Sequence, residues 1–565
     1  MAGGPKQPLN VFRLKLDGAP KEVLNWRLWF AVLTFGLMGA ARGVDEGLIT
    51  GAFDSKDFQR TINFDSYGEV EQTNIRANVT AMVQLGSVGG ALIAFLFCDI
   101  FGRLWTCRGL CLVWILGIAI FMGHGGNLAA VYAGRLVAGL GVGATVVVAP
   151  VYLSEIAPAQ IRGLCTCIFT GFVYIGIVVA YFANYGCEVN MGDNTHDRWL
   201  VPTSLHIIFA GLIFILSFLQ IESPRYLIKR NNYDQALINL SRIRNLPPDH
   251  PYVIQELSGI KNSHEAEMEA THGLGWFGVV KEAVMVPSNL YRLYLATGVQ
   301  ILSQWSGAGS ITVYAPQLFA LLGISGSEEG LLVTAVFGIV KLVAAVVCAL
   351  FLVDVIGRKR ALLIGITLQA ISMVYIAGFL TAVPELGVVD DFELPTHQAG
   401  PSRGAIAMIY ISGVGWALGW NSMQYLLTAE LFPLRIRALA TSTAMTLHFA
   451  NQYGNARAVP NMLLPTAQGG IDPKGTFWCF GAVTVLGGIW VLFSIPETAG
   501  RTLESMDSLF QLPWYKIGLY GNRDAETRDL VQEKMGEDQD VAAAQVASMN
   551  VGEGEKAKEE RREHV

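Results

Sequence analysis

The chain is 565 residues long, 52% hydrophobic and only 15% charged, against roughly 25% charged residues in soluble domains. That balance excludes an ordinary soluble enzyme and points to a lipid environment. The formal net charge of −6 is carried by loops and tails, acts locally, and does not mark a nucleic-acid partner.

Residues 1–26 lack the uninterrupted apolar core of a signal peptide and read as a cytoplasmic tail, so the first apolar run serves as its own insertion signal. Runs of the ~20 mostly apolar residues that a membrane helix needs then recur at about 27–51, 77–97, 105–124, 127–150, 163–184 and 199–220. Residues 221–291 interrupt them. This stretch is polar, broken by Pro247, Pro248 and Pro251, and reads as a cytoplasmic linker with short amphipathic helices. Six further runs follow at about 292–320, 329–352, 361–382, 403–427, 438–464 and 474–495. The tail 496–565 turns rich in Glu, Lys, Ala and Gln, a composition that stays disordered towards its end.

The expectation is an all-α membrane protein with twelve transmembrane helices in two six-helix halves, 27–220 and 292–495. Lys and Arg concentrate in alternate connections, which by the positive-inside rule places both termini in the cytoplasm. Most of the cysteines fall in or beside the runs and act as small hydrophobes, not as a disulfide framework. No residue spacing indicates a metal or a cofactor, and histidines such as His448 have no nucleophile partner in the pattern.

The two halves repeat. Asp99 to Arg103 after the second run matches Asp354 to Arg358 after the eighth. Glu155 to Arg162 after the fourth matches Glu430 to Arg437 after the tenth, and Glu222 to Arg225 after the sixth matches Glu497 to Arg501 after the twelfth. All six segments fall on the cytoplasmic side, where carboxylates at helix ends can bind arginines of a neighbour. They are expected to form a gate that latches the halves when that side is closed. Two repeated halves with a site between them is the layout of an alternating-access carrier.

These segments resemble the sugar porter family of the major facilitator superfamily. The resemblance also rests on Gly134-Arg135 with Gly139, Gly141 and Gly143, on PVYLSEIAPAQIRG (150–163), ESPRYL (222–227), QWSG (304–307), VDVIGRKR (353–360), AELFPLRIR (429–437) and PETAGRTLE (496–504), and covers nearly all of 27–510. It implies a plasma-membrane carrier working as a monomer on a small sugar or sugar acid, with protons as the coupling ion. The glycine-rich Gly139 to Gly143 follows no strand, so it reads as close helix packing and not as a nucleotide loop.

A charge at the bilayer centre costs at least about 2.5–3.5 kcal/mol, which makes each one a candidate for function. Asp45 matches the aspartate of the family's proton-coupled members and Arg135 the arginine that pairs with it, with Arg42 on the same helix face as a second candidate partner. Separating Asp45 from Arg135 would raise its proton affinity, coupling protonation to conformation. Arg457 and Lys341 are the cations expected to hold a carboxylate, the alternative for Arg457 being an interface position or a pair with Glu46. Gln300, Gln304, Asn455 and Tyr425 are the expected hydroxyl contacts. Tyr174 replaces a family glutamine, and Trp305, Trp416 and Trp420 offer ring faces for stacking. These departures from the hexose pattern resemble the fungal branch containing quinate and galacturonate permeases. The reading is proton symport of a small polyhydroxylated acid. A neutral-monosaccharide carrier and a non-transporting sugar sensor are the alternatives.

Overall fold

The computed structural model describes residues 20–158, 161–192, 194–271, 276–324, 327–348, 356–386, 394–498, 506 and 509–519. Six long helices come first: α1 Trp26–Asp54, α2 Glu69–Phe101, α3 Arg103–Met122, α4 Leu128–Ile156, α5 Arg162–Asn190 and α6 Asp197–Ser217. Short helices Pro224–Lys229, Tyr233–Arg244, Pro251–Thr271 and Trp276–Met285 form the linker. Beyond it, α7 Pro287–Trp305 is prolonged by Ala308–Val313 and Ala315–Leu321, and α8 is Ser327–Val347. The last four are α9 Arg358–Ala382, α10 Ala399–Leu418 prolonged by Trp420–Leu431, α11 Leu434–Leu463 and α12 Asp472–Ser494. Among the described residues there is no strand.

Nine helices among the described residues are long and apolar enough to cross a membrane. The expected runs 292–320, 403–427 and 438–464 are helical but fall outside that set. The first is interrupted at Gly307, which takes φ +85° and so suits only a residue without a Cβ, and the second at Gly419. The third, α11, carries His448, Asn451, Gln452, Asn455, Arg457 and Asn461 along its length. Large apolar side chains such as Leu96, Leu116, Ile215 and Leu486 stay exposed on the outer faces, where lipid replaces water as solvent.

Without a hydrophobic drive between helices in lipid, close backbone packing through small residues takes over. Gly139 and Gly143 of α4 do this against α2, where an added Cβ would lie 2.2 Å from Val83 O and 2.3 Å from Ser87 O. The α1–α5 contact is tighter still: a Cβ on Gly176 would lie 1.9 Å from Ala40 O. Backbone cannot swing away as a side chain can, so Gly176→Val is expected to lower stability by about 1–3 kcal/mol or more. A several-degree drop in melting temperature of the purified protein in detergent, absent in Gly171→Val, would show it, since nothing lies within 4 Å of a Cβ at Gly171.

The linker is strapped to the first six helices. The Asn25 side chain caps α1 by accepting from Arg27 N and Leu28 N and donates to Ile243 O at 2.7 Å. Arg244 grips Glu256 through two bonds of 2.8 and 2.6 Å and donates to Ile156 O at 2.7 Å. A cation at the end of α4 is favoured by the helix dipole and satisfies a carbonyl the helix leaves open.

Candidate substrate and proton sites

A cavity lies midway along the helices, between α1 and α5 on one side and α7, α8, α10 and α11 on the other. Arg42, Glu46, Tyr174, Gln304, Thr312, Lys341, Trp416, Asn421, Gln424, His448 and Gln452 supply most of its lining. Arg42 and Glu46 sit four residues apart on one face of α1 and pair at 3.2 Å. Arg42 also approaches His448 Nε2 at 3.3 Å. A guanidinium can only donate, so Nε2 accepts from Arg42, while Nδ1 lies 3.1 Å from Gln300 Oε1 and 3.2 Å from Gln304 Nε2. Of these two amides, Gln304 lines the cavity.

Lys341 on α8 is 2% exposed. Its Nζ donates to Thr312 Oγ1 at 2.6 Å and lies 5.4 Å from the ring centres of both Tyr174 and Phe337. Two of its three donor directions remain for a ligand. Arg42 and Lys341 against Glu46 leave the cavity with an excess of positive charge.

A second cluster lies among the first six helices, against α4 and α6. Asp45, 2% exposed, accepts from Arg135 Nη1 at 2.7 Å, and Arg135 Nε donates to Val79 O at 3.3 Å. His206 of α6 approaches the same Asp45 oxygen at 3.3 Å. Arg42, considered above as a partner for Asp45, turns instead to Glu46 and His448. Asp45, Arg135 and His206 are not among the residues that line the cavity.

The remaining candidates are placed differently from expectation. Arg457 donates to Asn74 Oδ1 at 2.8 Å on the α2–α11 seam and does not line the cavity. Neither does it pair with Glu46, whose second neighbour is Gln452 at 3.3 Å. Asn455 is occupied by Gln304 O at 2.9 Å and by Ser310 Oγ. Gln300 stands behind the wall, donating to Gln424 O and Thr428 Oγ1 at 3.3 Å each. Trp305 donates to Asn451 at 3.2 Å, and Trp420 is fully buried in the core among α9, α10 and α12. Trp416 and Tyr174 are the expected aromatics that reach the cavity. The Tyr425 side chain lies outside the described residues.

At the linker face, Arg103 pairs with Glu155 through bonds of 2.9 and 2.7 Å and with Asp99 at 3.2 Å. Glu222 accepts from the Arg103 and Leu104 amides at 3.3 and 3.2 Å. Burial pushes its carboxyl up from the usual range, against the pull of these amides. Glu497 repeats the arrangement on α9, accepting from the Arg358 and Lys359 amides at 2.7 and 3.2 Å. The described bonds thus stay within each half and its adjoining segment; the latch across the halves, expected when this side is closed, is not among them. The amide bonds have a local cause: α3 and α9 begin with open amides that the nearest carboxylate caps. Arg225 lies in the helix Pro224–Lys229 and pairs with no carboxylate among the described residues. Asp354 and Arg501, and the side chains of Arg162, Glu430 and Arg437, lie outside the described residues.

Four residues escaped the sequence reading: Asn421, Gln424, Gln452 and His206. His206 was findable, because an ionisable ring in the run 199–220 meets the same buried-charge criterion that marks Asp45. The amides carry no such signal.

The sequence profile described as "Sugar (and other) transporter" matches residues 31–510. A "Probable quinate permease" of Aspergillus niger is 32% identical over 87% of this chain and 89% of its own length. The "Quinate permease" of Emericella nidulans is 31% identical over 87% and 90%. Among solved structures, the partially occluded, inward-open xylose transporter of E. coli superposes with a TM-score of 0.67 at 21% identity, over 85% of this chain and all of that one. A proton:xylose symporter bound to 6-bromo-6-deoxy-D-glucose gives 0.68 at 22%, over 86% and 99%.

Proposed function

The chain belongs to the sugar transporter family of the major facilitator superfamily, and from that premise we propose that it carries a small polyhydroxylated monoanion across the plasma membrane together with a proton. In this reading two six-helix halves, 27–220 and 292–495, rock about the central cavity, with both termini and the 221–291 linker in the cytoplasm. The supporting observation is the cavity's charge: Lys341, buried with donors to spare, faces Arg42 across a space lined by amides. Lys341 and Arg42 would hold the carboxylate through charge-assisted hydrogen bonds. Gln304, Asn421 and Gln424 would take hydroxyls, and Trp416 or Tyr174 a ring face. The relatives named as quinate permeases support a hydroxylated ring acid as the substrate class.

Coupling runs through α1. Glu46 and Arg42 look into the cavity while Asp45 looks away, so a substrate that draws Arg42 off Glu46 shifts the segment that sets the Asp45–Arg135 distance. Asp45 binds the proton when Arg135 is withdrawn and releases it when the pair reforms.

The test is to impose a pH gradient and a membrane potential separately on vesicles containing the protein. A proton moving with a monoanion transfers no net charge, so a gradient contributes about 1.4 kcal/mol per pH unit and the potential contributes nothing. A proton with a neutral sugar would add roughly 2.3 kcal/mol per 100 mV. Accumulation that follows the potential contradicts the acid reading and favours a neutral monosaccharide.

A further inference from the structure

His206 sits at mid-length in α6 and is 3% exposed. Its Nδ1 lies 3.0 Å from Thr203 O. A carbonyl oxygen only accepts, so Nδ1 carries the hydrogen. Its Nε2 lies 3.3 Å from Asp45 Oδ1, the oxygen that Arg135 holds at 2.7 Å, and has no hydrogen-bond partner of its own. A neutral ring would therefore turn a lone pair towards a carboxylate oxygen, two acceptors face to face in a site closed to water. One proton between Nε2 and Oδ1 removes that conflict, whichever atom holds it.

We infer that His206 and Asp45 hold the transported proton jointly and that the imidazole sets the pH range of coupling. The inference rests on the proton-coupled reading above. One proton arrives from one side of the membrane, bridges Nε2 and Oδ1, and leaves to the other side, with no change in covalent bonds or electrons. Of the helices packed on α6, α1 presents Asp45 and α3 presents the Trp114 ring, edge-on at 6.2 Å. Arg135 of α4 reaches the pair through Asp45, and α5 gives the ring no ionisable partner among the described residues. Among the described residues no other charge faces the ring.

An imidazole in water takes up a proton near pH 6.5 and an aspartate near pH 3.9, and a coupled pair titrates as one unit. In vesicles containing the full chain, the wild type is expected to show its half-maximal proton-driven uptake above the range of a lone carboxylate. His206→Gln keeps a polar side chain but cannot take a proton, so its midpoint should fall by about one unit or more. Substrate counterflow at acidic pH, which needs no net proton movement, should keep its KM. A variant that stays coupled with an unshifted midpoint overturns the inference, as does a wild-type midpoint below about pH 5, which requires no variant to fold. A wild type that transports substrate with no proton movement removes the coupled reading itself.

Discussion

Replacing Lys341 by methionine is expected to lower kcat/KM for a hydroxylated monoanion about a hundredfold, with much less effect on any residual neutral-sugar uptake. Methionine retains the length of the side chain and its contacts with Tyr174 and Phe337, and removes the cation. Truncating one partner of a buried charge pair costs about 2–5 kcal/mol, and each 1.4 kcal/mol is tenfold. The same measurement on Arg457→Ala should change KM less than about threefold, because the loss there is a single hydrogen bond to Asn74 outside the cavity. Equal losses in both variants would mean that the carboxylate does not bind at Lys341.

The second large effect falls on Asp45→Asn. Asparagine keeps an oxygen for Arg135 to bond and cannot release a proton, so accumulation against a gradient should disappear. A one-unit pH difference should concentrate substrate about tenfold in the wild type and not at all in the variant. Counterflow should persist within a few-fold, since Asp45 does not touch the cavity. Retained accumulation would place the coupling proton elsewhere, with Glu46 the next carboxylate to test.

The helical framework was legible because the bilayer demands long apolar runs, and it blurred where function intrudes. The runs at 292–320 and 403–427 hid their interruptions at Gly307 and Gly419, which a hydropathy window averages away. Buried charges were legible as well, since few reasons other than function keep Asp45, Arg135 or Lys341 in an apolar segment. Their direction was harder to read. Arg457 lies nine residues beyond His448, about two and a half turns, which puts the two on opposite faces of α11; with His448 in the cavity wall, Arg457 must look away. That argument required knowing that His448 lines the cavity, and no sequence pattern said so. The amides at 421, 424 and 452 are ordinary polar residues in the sequence and become a binding surface only when α10 and α11 face α1. The carboxylates at 222 and 497 showed the opposite difficulty: the repeat announced them, while the choice between a side-chain latch and a cap on open amides depended on where α3 and α9 begin.

The most direct test of the account is uptake of labelled quinate, galacturonate and glucose by a transporter-deficient host expressing the chain, at acidic and neutral external pH, with and without a protonophore. The account predicts protonophore-sensitive uptake of a ring acid, faster at acidic pH, with little or no glucose. Glucose uptake with no uptake of either acid would contradict it and reduce Lys341 and Arg42 to structural charges.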